Sequence, residues 1–129
     1  MHDFKNLRIW QDAMSLTKDV YLSTAQFPAS EKYGLISQIN RDAVSIPSNI
    51  AEGASRESVK DFSHFISIAL GSAYELETQI LLSESFGFQG SENALAKLHE
   101  IRRWQKMLVA FKRSLIKIEN KSYYLLPDT

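Results

Sequence analysis

The sequence predicts an all-α protein, and three observations carry this prediction. Gly and Pro together contribute only eight of the 129 residues, so few loops interrupt the chain. Apolar residues recur at spacings of three and four instead of alternating, which is typical of helices. The Gly- and Pro-containing breaks are widely spaced and leave four long segments. We therefore expect one domain spanning residues 1–129, folded as an antiparallel up-down four-helix bundle.

The first helix is predicted to begin after Asp3 or Asn6, either of which is a suitable N-cap. It is predicted to end at Phe27, because Pro28 disfavours helical geometry in the residue before it. The residues expected to form its buried face are Leu7, Trp10, Ala13, Thr17, Val20 and Thr24.

The second helix is predicted over about residues 29–55 and contains a proline. Pro47 lacks the N–H that would bond to the carbonyl of Ala43, so we expect a kink at this point. Asn49 or Ser48 is expected to satisfy the carbonyls that the proline frees. The residues expected to form the buried face are Leu35, Ile39, Ala43, Ile46, Ile50 and Gly53.

The third and fourth helices are predicted over about residues 59–86 and from Ser91 to about Asn120. Ser58, followed by Asp61 three residues later, is an imperfect capping box for the third helix. The core residues expected on the third helix are Phe62, Phe65, Ile66, Ala69, Ala73, Leu76 and Ile80. The fourth helix follows a heptad pattern formed by Ile101, Trp104, Leu108, Phe111, Leu115 and Ile118.

The segment Ser45-Ile46-Pro47-Ser48-Asn49-Ile50-Ala51-Glu52-Gly53, followed by Arg56, resembles the bacterial family of 23S rRNA intervening sequence proteins. Phe4, Leu7 and Trp10 before it, and Gly71, Ser72 and Gln79 after it, are similar as well. The resemblance implies an antiparallel four-helix bundle that assembles as a homo-oligomer, a pentameric ring. A more distant resemblance, to the accessory protein of diversity-generating retroelements, implies contact with RNA or with a nucleic-acid enzyme.

Polar residues on the second helix follow the same helical spacing as its apolar face. They are Gln38, Arg41, Ser45, Asn49, Glu52 and Arg56. Two interpretations remain open: a hydrogen-bonded network that holds the kinked helix, or a partner surface at the ring interface. We favour the network, because buried polar groups most often fix packing and register.

Glu75 and Glu77 flank the core residue Leu76 on the third helix, so one of them must lean towards a neighbouring helix. Their spacing separates them by about 200° around the helix, so they cannot act together on one reacting atom. We expect a bond from one of them to Arg41 or Arg56 instead.

The sequence offers little evidence for an enzyme. It has no phosphate-binding or nucleotide-binding glycine motif, and the three histidines His2, His64 and His99 are scattered. No Cys is present, which excludes a thiolate zinc site and a Cys nucleophile and fits a reducing compartment. We predict a non-enzymatic cytoplasmic protein with no cofactor, no metal and no membrane partner.

Charge is unevenly distributed along a chain whose formal net charge is zero. Residues 57–92 contain one lysine against six acidic residues, whereas residues 93–121 contain eight basic residues against two acidic ones. The heptad register places four basic residues in one acid-free stripe on the fourth helix: Arg103, Lys106, Arg113 and Lys117. The stripe is either a solvated face neutralised by an acidic helix or, repeated around a ring, a surface that contacts phosphates.

The fourth helix is also apolar over a wider arc than one core requires. Met107, Val109 and Ile116 widen this arc, and the apolar tail with Tyr123, Tyr124 and Leu125 follows it. We expect these six residues to form an oligomer interface. The sequence thus predicts an oligomeric RNA-binding bundle, with a protein-binding adaptor as the alternative function.

Overall fold

The computed structural model describes residues 3–124, with side chains to residue 121, and this part of the chain is all-α without strands. Two short 3-10 turns lie at Phe4–Asn6 and Ala29–Glu31. The α-helices in this range are α1, Arg8–Thr24; α2, Leu35–Ala54; α3, Val59–Ser85; and α4, Ser91–Tyr124. The predicted fold class is confirmed, and the helices are consistent with a four-helix bundle.

Helix α1 begins later than expected because a 3-10 turn occupies Phe4–Asn6. Its buried residues are Ile9, Ala13, Leu16, Val20 and Thr24. Three residues of the predicted face are therefore buried. Leu7 and Trp10 are half-buried and pack against the core, and Thr17 is half-buried. Trp10 packs edge-on against Phe4 with ring centroids 5.2 Å apart, at the margin of the core.

Helix α2 is continuous across Pro47, and the predicted bend of its axis stays a prediction. All six residues expected on its apolar face are buried. Gly53 sets its close approach to α3, because a Cβ at this position would lie 2.8 Å from Phe62 Cδ1 and 2.8 Å from Phe65 Cβ. Any larger side chain would therefore force the two helices apart.

Where α2 contacts α3, and where α3 contacts α4, residue numbers rise along one helix as they fall along the other. Ser45 contacts Ser72, and Asp42 contacts Gln79, across α2 and α3. Helix α1 packs mainly on α2 and touches α4 only sparingly. The α3–α4 turn is closed by Gly87, whose φ of 77° is a left-handed conformation that favours glycine.

Helix α4 is buried along most of its heptad pattern. Ile101, Trp104, Leu108 and Leu115 are buried, and Phe111 packs on Phe62 with ring centroids 5.4 Å apart. Ile118 was predicted to be in the core but is 52% exposed. The reason is that Phe111 already meets Phe62 one turn from the start of α3, so the last turns of α4 continue past the start of that helix.

Within residues 3–124, no helix combines the length and the apolar character that crossing a membrane requires.

Candidate functional site

Two residues of the predicted polar stripe on α2 form a hydrogen-bonded group with α3. The Asn49 side-chain amide donates to the Ser45 carbonyl at 2.8 Å and to the Ser45 hydroxyl at 2.9 Å. The buried Ser72 hydroxyl of α3 donates to the Ser45 hydroxyl at 2.8 Å. Because these polar atoms satisfy one another at the helix contact, this part of the stripe fastens α2 to α3.

The carbonyl that Pro47 leaves without an N–H donor is satisfied from α1. The Thr17 hydroxyl has one hydrogen, which the Ala43 carbonyl at 3.0 Å shares with the Ala13 carbonyl of α1 at 2.8 Å. Asn49 and Ser48 were expected in this role, and that expectation was wrong. Asn49 is instead turned towards Ser45, and a residue on the neighbouring helix reaches the freed carbonyl.

A second polar group lies further along the same α2–α3 contact. The Gln79 side-chain amide donates to Asp42 Oδ2 at 2.7 Å, while its own Oε1 is buried without a partner in the described part of the chain. A hydrogen bond with the Asp42 carboxylate, followed by repulsion from its charge, raises the pKa of Glu75 above its ordinary value. Glu75 thus lies beside Asp42 of α2 and keeps its proton to a higher pH than an isolated carboxyl group does.

Glu77 leans the other way, towards α4. It accepts a hydrogen bond from Gln105 Nε2 at 2.8 Å and pairs with Arg102 at 3.2 Å. The expected bond from one of these glutamates to Arg41 or Arg56 was wrong. Glu75 and Glu77 lie on opposite sides of α3 and face different helices. This separation also keeps the two carboxylates from acting as a catalytic pair.

The remaining residues of the α2 stripe are at the surface. Arg56, two residues after the end of α2, pairs with Glu52 at 2.9 Å, and its guanidinium lies 4.8 Å from the centre of the Phe65 ring. Gln38 and Arg41 are exposed. The predicted stripe is therefore not one site, since its centre is a helix contact and its ends are in solvent.

The basic stripe of α4 is displayed on the surface of the protein. Arg103, Lys106, Arg113 and Lys117 are all exposed, as is Ala110 between them. Among residues 3–121, none of these four cations forms an ion pair with an acidic side chain. Arg103 Nη1 lies 3.3 Å from the Met107 sulfur, one turn further along α4.

A groove of about 540 Å³ runs between α3 and α4 beside this stripe. Tyr74 and Glu77 line it from α3, while Lys106, Val109 and Arg113 line it from α4. The groove therefore joins part of the basic stripe to an aromatic ring.

The expected oligomer interface is divided by the fold. Met107 is half-buried and packs on the chain's own core, and Val109 lines the α3–α4 groove. Ile116 is 39% exposed on the outer turns of α4. The side chains of Tyr123 and Tyr124, and all of Leu125, lie outside the described residues.

Histidines and carboxylates do not assemble into a metal centre in the described range. His64 and His99 are at exposed positions, and His2 lies outside the described residues. Residues 3–124 contain no group of three His, Asp or Glu side chains placed to hold a metal ion.

Sequence reasoning missed Asp42, Ser72 and Gln79 as partners in the α2–α3 contact, and it missed Tyr74 beside the basic stripe. A signal for the first three was present. Asp42, Ser45 and Asn49 are spaced three and four apart on α2, and Ser72, Glu75 and Gln79 repeat this spacing on α3. Two matched polar rows on consecutive helices indicate that the rows face each other.

Comparisons with known proteins agree with this architecture. The family model described as 23S rRNA-intervening sequence protein matches residues 5–110. A crystal structure from Bacteroides thetaiotaomicron, described as a protein of unknown function from the S23 ribosomal protein family, superposes with a TM-score of 0.73 at 20% identity. The match covers 81% of this chain and 97% of that one, and at this identity it shows the fold alone. A search of curated proteins found no match.

Proposed function

The chain belongs to the 23S rRNA-intervening sequence protein family, and on this premise we propose that it is a non-enzymatic homo-oligomer that binds structured RNA through the basic stripe of α4. The family description refers to ribosomal RNA, which agrees with RNA as the ligand. The proposal depends on one observation: Arg103, Lys106, Arg113 and Lys117 are exposed on one face without acidic partners in residues 3–121.

The contrast with Arg102 supports a binding function for the stripe. Arg102, one residue before Arg103, is neutralised by Glu77 of α3. The acidic third helix therefore neutralises Arg102, which lies next to the stripe. Within residues 3–121 the four cations of the stripe keep their charge without an acidic partner. From Arg103 to Lys117 the stripe runs about 21 Å along the helix, which is enough to follow several phosphates.

The exposed end of α4 supports the homo-oligomer. Ile116 and Ile118 are 39% and 52% exposed within residues 3–121, near the end of α4. A second copy that packs on this end would remove the apolar surface from water. The pentameric number follows only from the resemblance, and rotational symmetry would repeat the stripe once per subunit.

A binding function also agrees with the chemistry of the other polar groups. The α2–α3 side chains bond mainly to one another, and the two adjacent carboxylates of α3 face different helices. No described constellation pairs a nucleophile with a base.

The proposal is tested by fluorescence anisotropy with a labelled RNA hairpin at 50 to 200 mM salt. Four phosphate contacts predict that affinity falls by roughly 50-fold to 150-fold over this range. Replacing Arg103→Glu together with Arg113→Glu should lower affinity by at least about tenfold at 50 mM salt, because it removes two contacts and adds two repulsive charges.

The matched control is Lys18→Glu together with Lys60→Glu, which changes the net charge equally at exposed positions of α1 and α3. The control should bind within about twofold of the wild type. Equal losses of RNA affinity in both double variants would show an effect of net charge alone and overturn the assignment of RNA binding to the stripe. Absence of hairpin binding at 50 mM salt, with no excess absorbance at 260 nm in the purified protein, would overturn RNA binding and favour the adaptor.

The homo-oligomer is tested separately by light scattering at micromolar concentration. A mass several times 14.7 kDa is expected, and a monomeric mass would overturn the assembly.

A further inference from the structure

The groove between α3 and α4 has the size and the chemistry of a ligand site. Its volume of about 540 Å³ lies within the range of roughly 300 to 1,000 Å³ that small-molecule sites occupy. Val109 and Ala110 contribute its apolar surface, and Ala110 is small enough to leave the groove open between the cations that flank it.

The uncompensated charge of the groove is positive, so the groove favours an anionic ligand. Glu77 is its acidic group, and Glu77 is already neutralised by Arg102 at 3.2 Å and held by Gln105 at 2.8 Å. Lys106 and Arg113 therefore supply the unbalanced charge. They are seven residues apart, so about 10 Å along the helix separates two points that attract phosphate.

The opposite wall of the groove carries an aromatic ring. Tyr74 is 53% exposed, and it stacks on no other ring or cation within residues 3–121. An exposed aromatic face beside a basic track is the combination by which proteins hold unpaired bases, because any base can stack on the ring while the cations follow the backbone. A paired base inside a duplex is stacked between its neighbours, so its face is not accessible to the tyrosine ring.

We propose that the α3–α4 groove is a subsite for an unpaired nucleotide, with the base stacked on Tyr74 and the adjoining phosphates on Lys106 and Arg113. This inference rests on the proposed RNA-binding function and specifies which part of a structured RNA enters the groove. The stripe residues outside the groove, Arg103 and Lys117, contact backbone without distinguishing paired from unpaired strands.

The test compares two labelled probes, a 12-nucleotide oligoadenosine and a blunt-ended RNA duplex of equal length, by anisotropy at 50 mM salt. Tyr74→Leu should weaken oligoadenosine binding about fivefold or more and leave duplex binding within about twofold, because it removes stacking and no charge. The salt dependence of binding should stay that of the wild type. The matched control is Tyr33→Leu, which removes an exposed tyrosine that does not line the groove and should change neither affinity.

A second variant, Ala110→Leu, fills the groove from an exposed helix position and keeps every charge and Tyr74. It should produce the same selective loss. If both variants bind oligoadenosine as the wild type does, and duplex binding still depends on the stripe, the nucleotide subsite is overturned while RNA binding by the stripe stands. Failure of the wild type to bind either probe would overturn the proposed function with it. A change in oligomer mass on Tyr74→Leu would assign the groove to a second copy of the chain and overturn the nucleotide subsite.

Discussion

Helices α2 and α4 both carry rows of polar side chains, but the rows have different partners. On α2, Ser45, Asn49 and Asp42 bond to one another or to residues of α3. On α4, the cations of the basic stripe face solvent without acidic partners in residues 3–121. Similar spacing in the sequence therefore produces a helix contact in one region and a free surface in the other.

The difference shows how to separate structural from binding residues in this protein. A polar group whose partners lie on another helix contributes to the free energy of folding, because its removal leaves a buried atom unsatisfied. An exposed charge contributes little to folding, so substitutions there mainly change what the surface can bind. Substitutions on α2 should thus change stability, while those on the α4 stripe should change binding.

The largest effect is expected from forcing α2 and α3 apart. Gly53→Ala places a Cβ 2.8 Å from two phenylalanine side chains, so we expect a loss of about 1 to 3 kcal/mol in the free energy of unfolding, measured by urea denaturation. This loss should outweigh the gain of roughly 0.5 to 1 kcal/mol that Ala brings to a helix interior.

Gly71→Ala is the matched control, since its Cβ would meet nothing within 4 Å on the exposed side of α3. It should raise stability by roughly 0.5 to 1 kcal/mol. If both variants are stabilised alike, the close α2–α3 approach does not constrain the fold.

An intermediate effect is expected at the carbonyl freed by Pro47. Thr17→Val removes the donor to the Ala43 carbonyl and should cost about 1 to 2 kcal/mol in urea denaturation. In a Pro47→Ala background the restored N–H can bond to that carbonyl, so the cost of Thr17→Val should shrink.

The control on α4 is Ser114→Ala, which deletes an exposed hydroxyl that donates to the Phe111 carbonyl. Its effect should stay within about 0.5 kcal/mol. A cost of Thr17→Val that is the same with and without Pro47 would show that the hydroxyl does not serve this carbonyl.

The smallest effect is expected from the Asp42–Glu75 pair. Because the pKa of Glu75 is raised, the folded state binds its proton more tightly than the unfolded state. The contribution to stability is full below the ordinary value of 4.5 and is lost as pH rises through the raised pKa. Glu75→Gln should therefore raise Tm slightly at pH 7, by the equivalent of a few tenths of a kcal/mol at this exposed site, and leave it unchanged at pH 4.

Glu119→Gln removes one exposed carboxylate from α4, outside the Asp42–Glu75 pair, and should give no gain at pH 7. If Glu75→Gln and Glu119→Gln shift Tm equally at both pH values, then the carboxylate pair has no specific effect on stability.

The sequence was most informative where an apolar repeat lies beside a neighbouring helix along its whole length. On α2 every predicted core residue is buried, because the helix packs on both α1 and α3. On α4 the same reasoning failed at Ile118, because the heptad pattern continues beyond the start of α3. On α1 it failed at Thr17, whose hydroxyl is positioned by a carbonyl 26 residues away in the sequence.

The candidate site was only partly predictable, because periodicity assigns a residue to a face and does not identify what the face meets. The heptad periodicity assigned four basic residues to one surface of α4: Arg103, Lys106, Arg113 and Lys117. It did not find Tyr74, which comes to the same groove from another helix.

The sequence by itself determined the helical class, the approximate helix bounds, the core of α2 and the concentration of positive charge on α4. These follow from local spacing and turn chemistry, which act over a few residues. The tertiary structure alone decided which polar groups are partners: Thr17 for the carbonyl freed by Pro47, Asp42 for Glu75, and Arg102 rather than Arg41 for Glu77. Hydrogen bonds and ion pairs act over a few ångströms of space, and only the packing of the helices brings residues distant in the chain within that range.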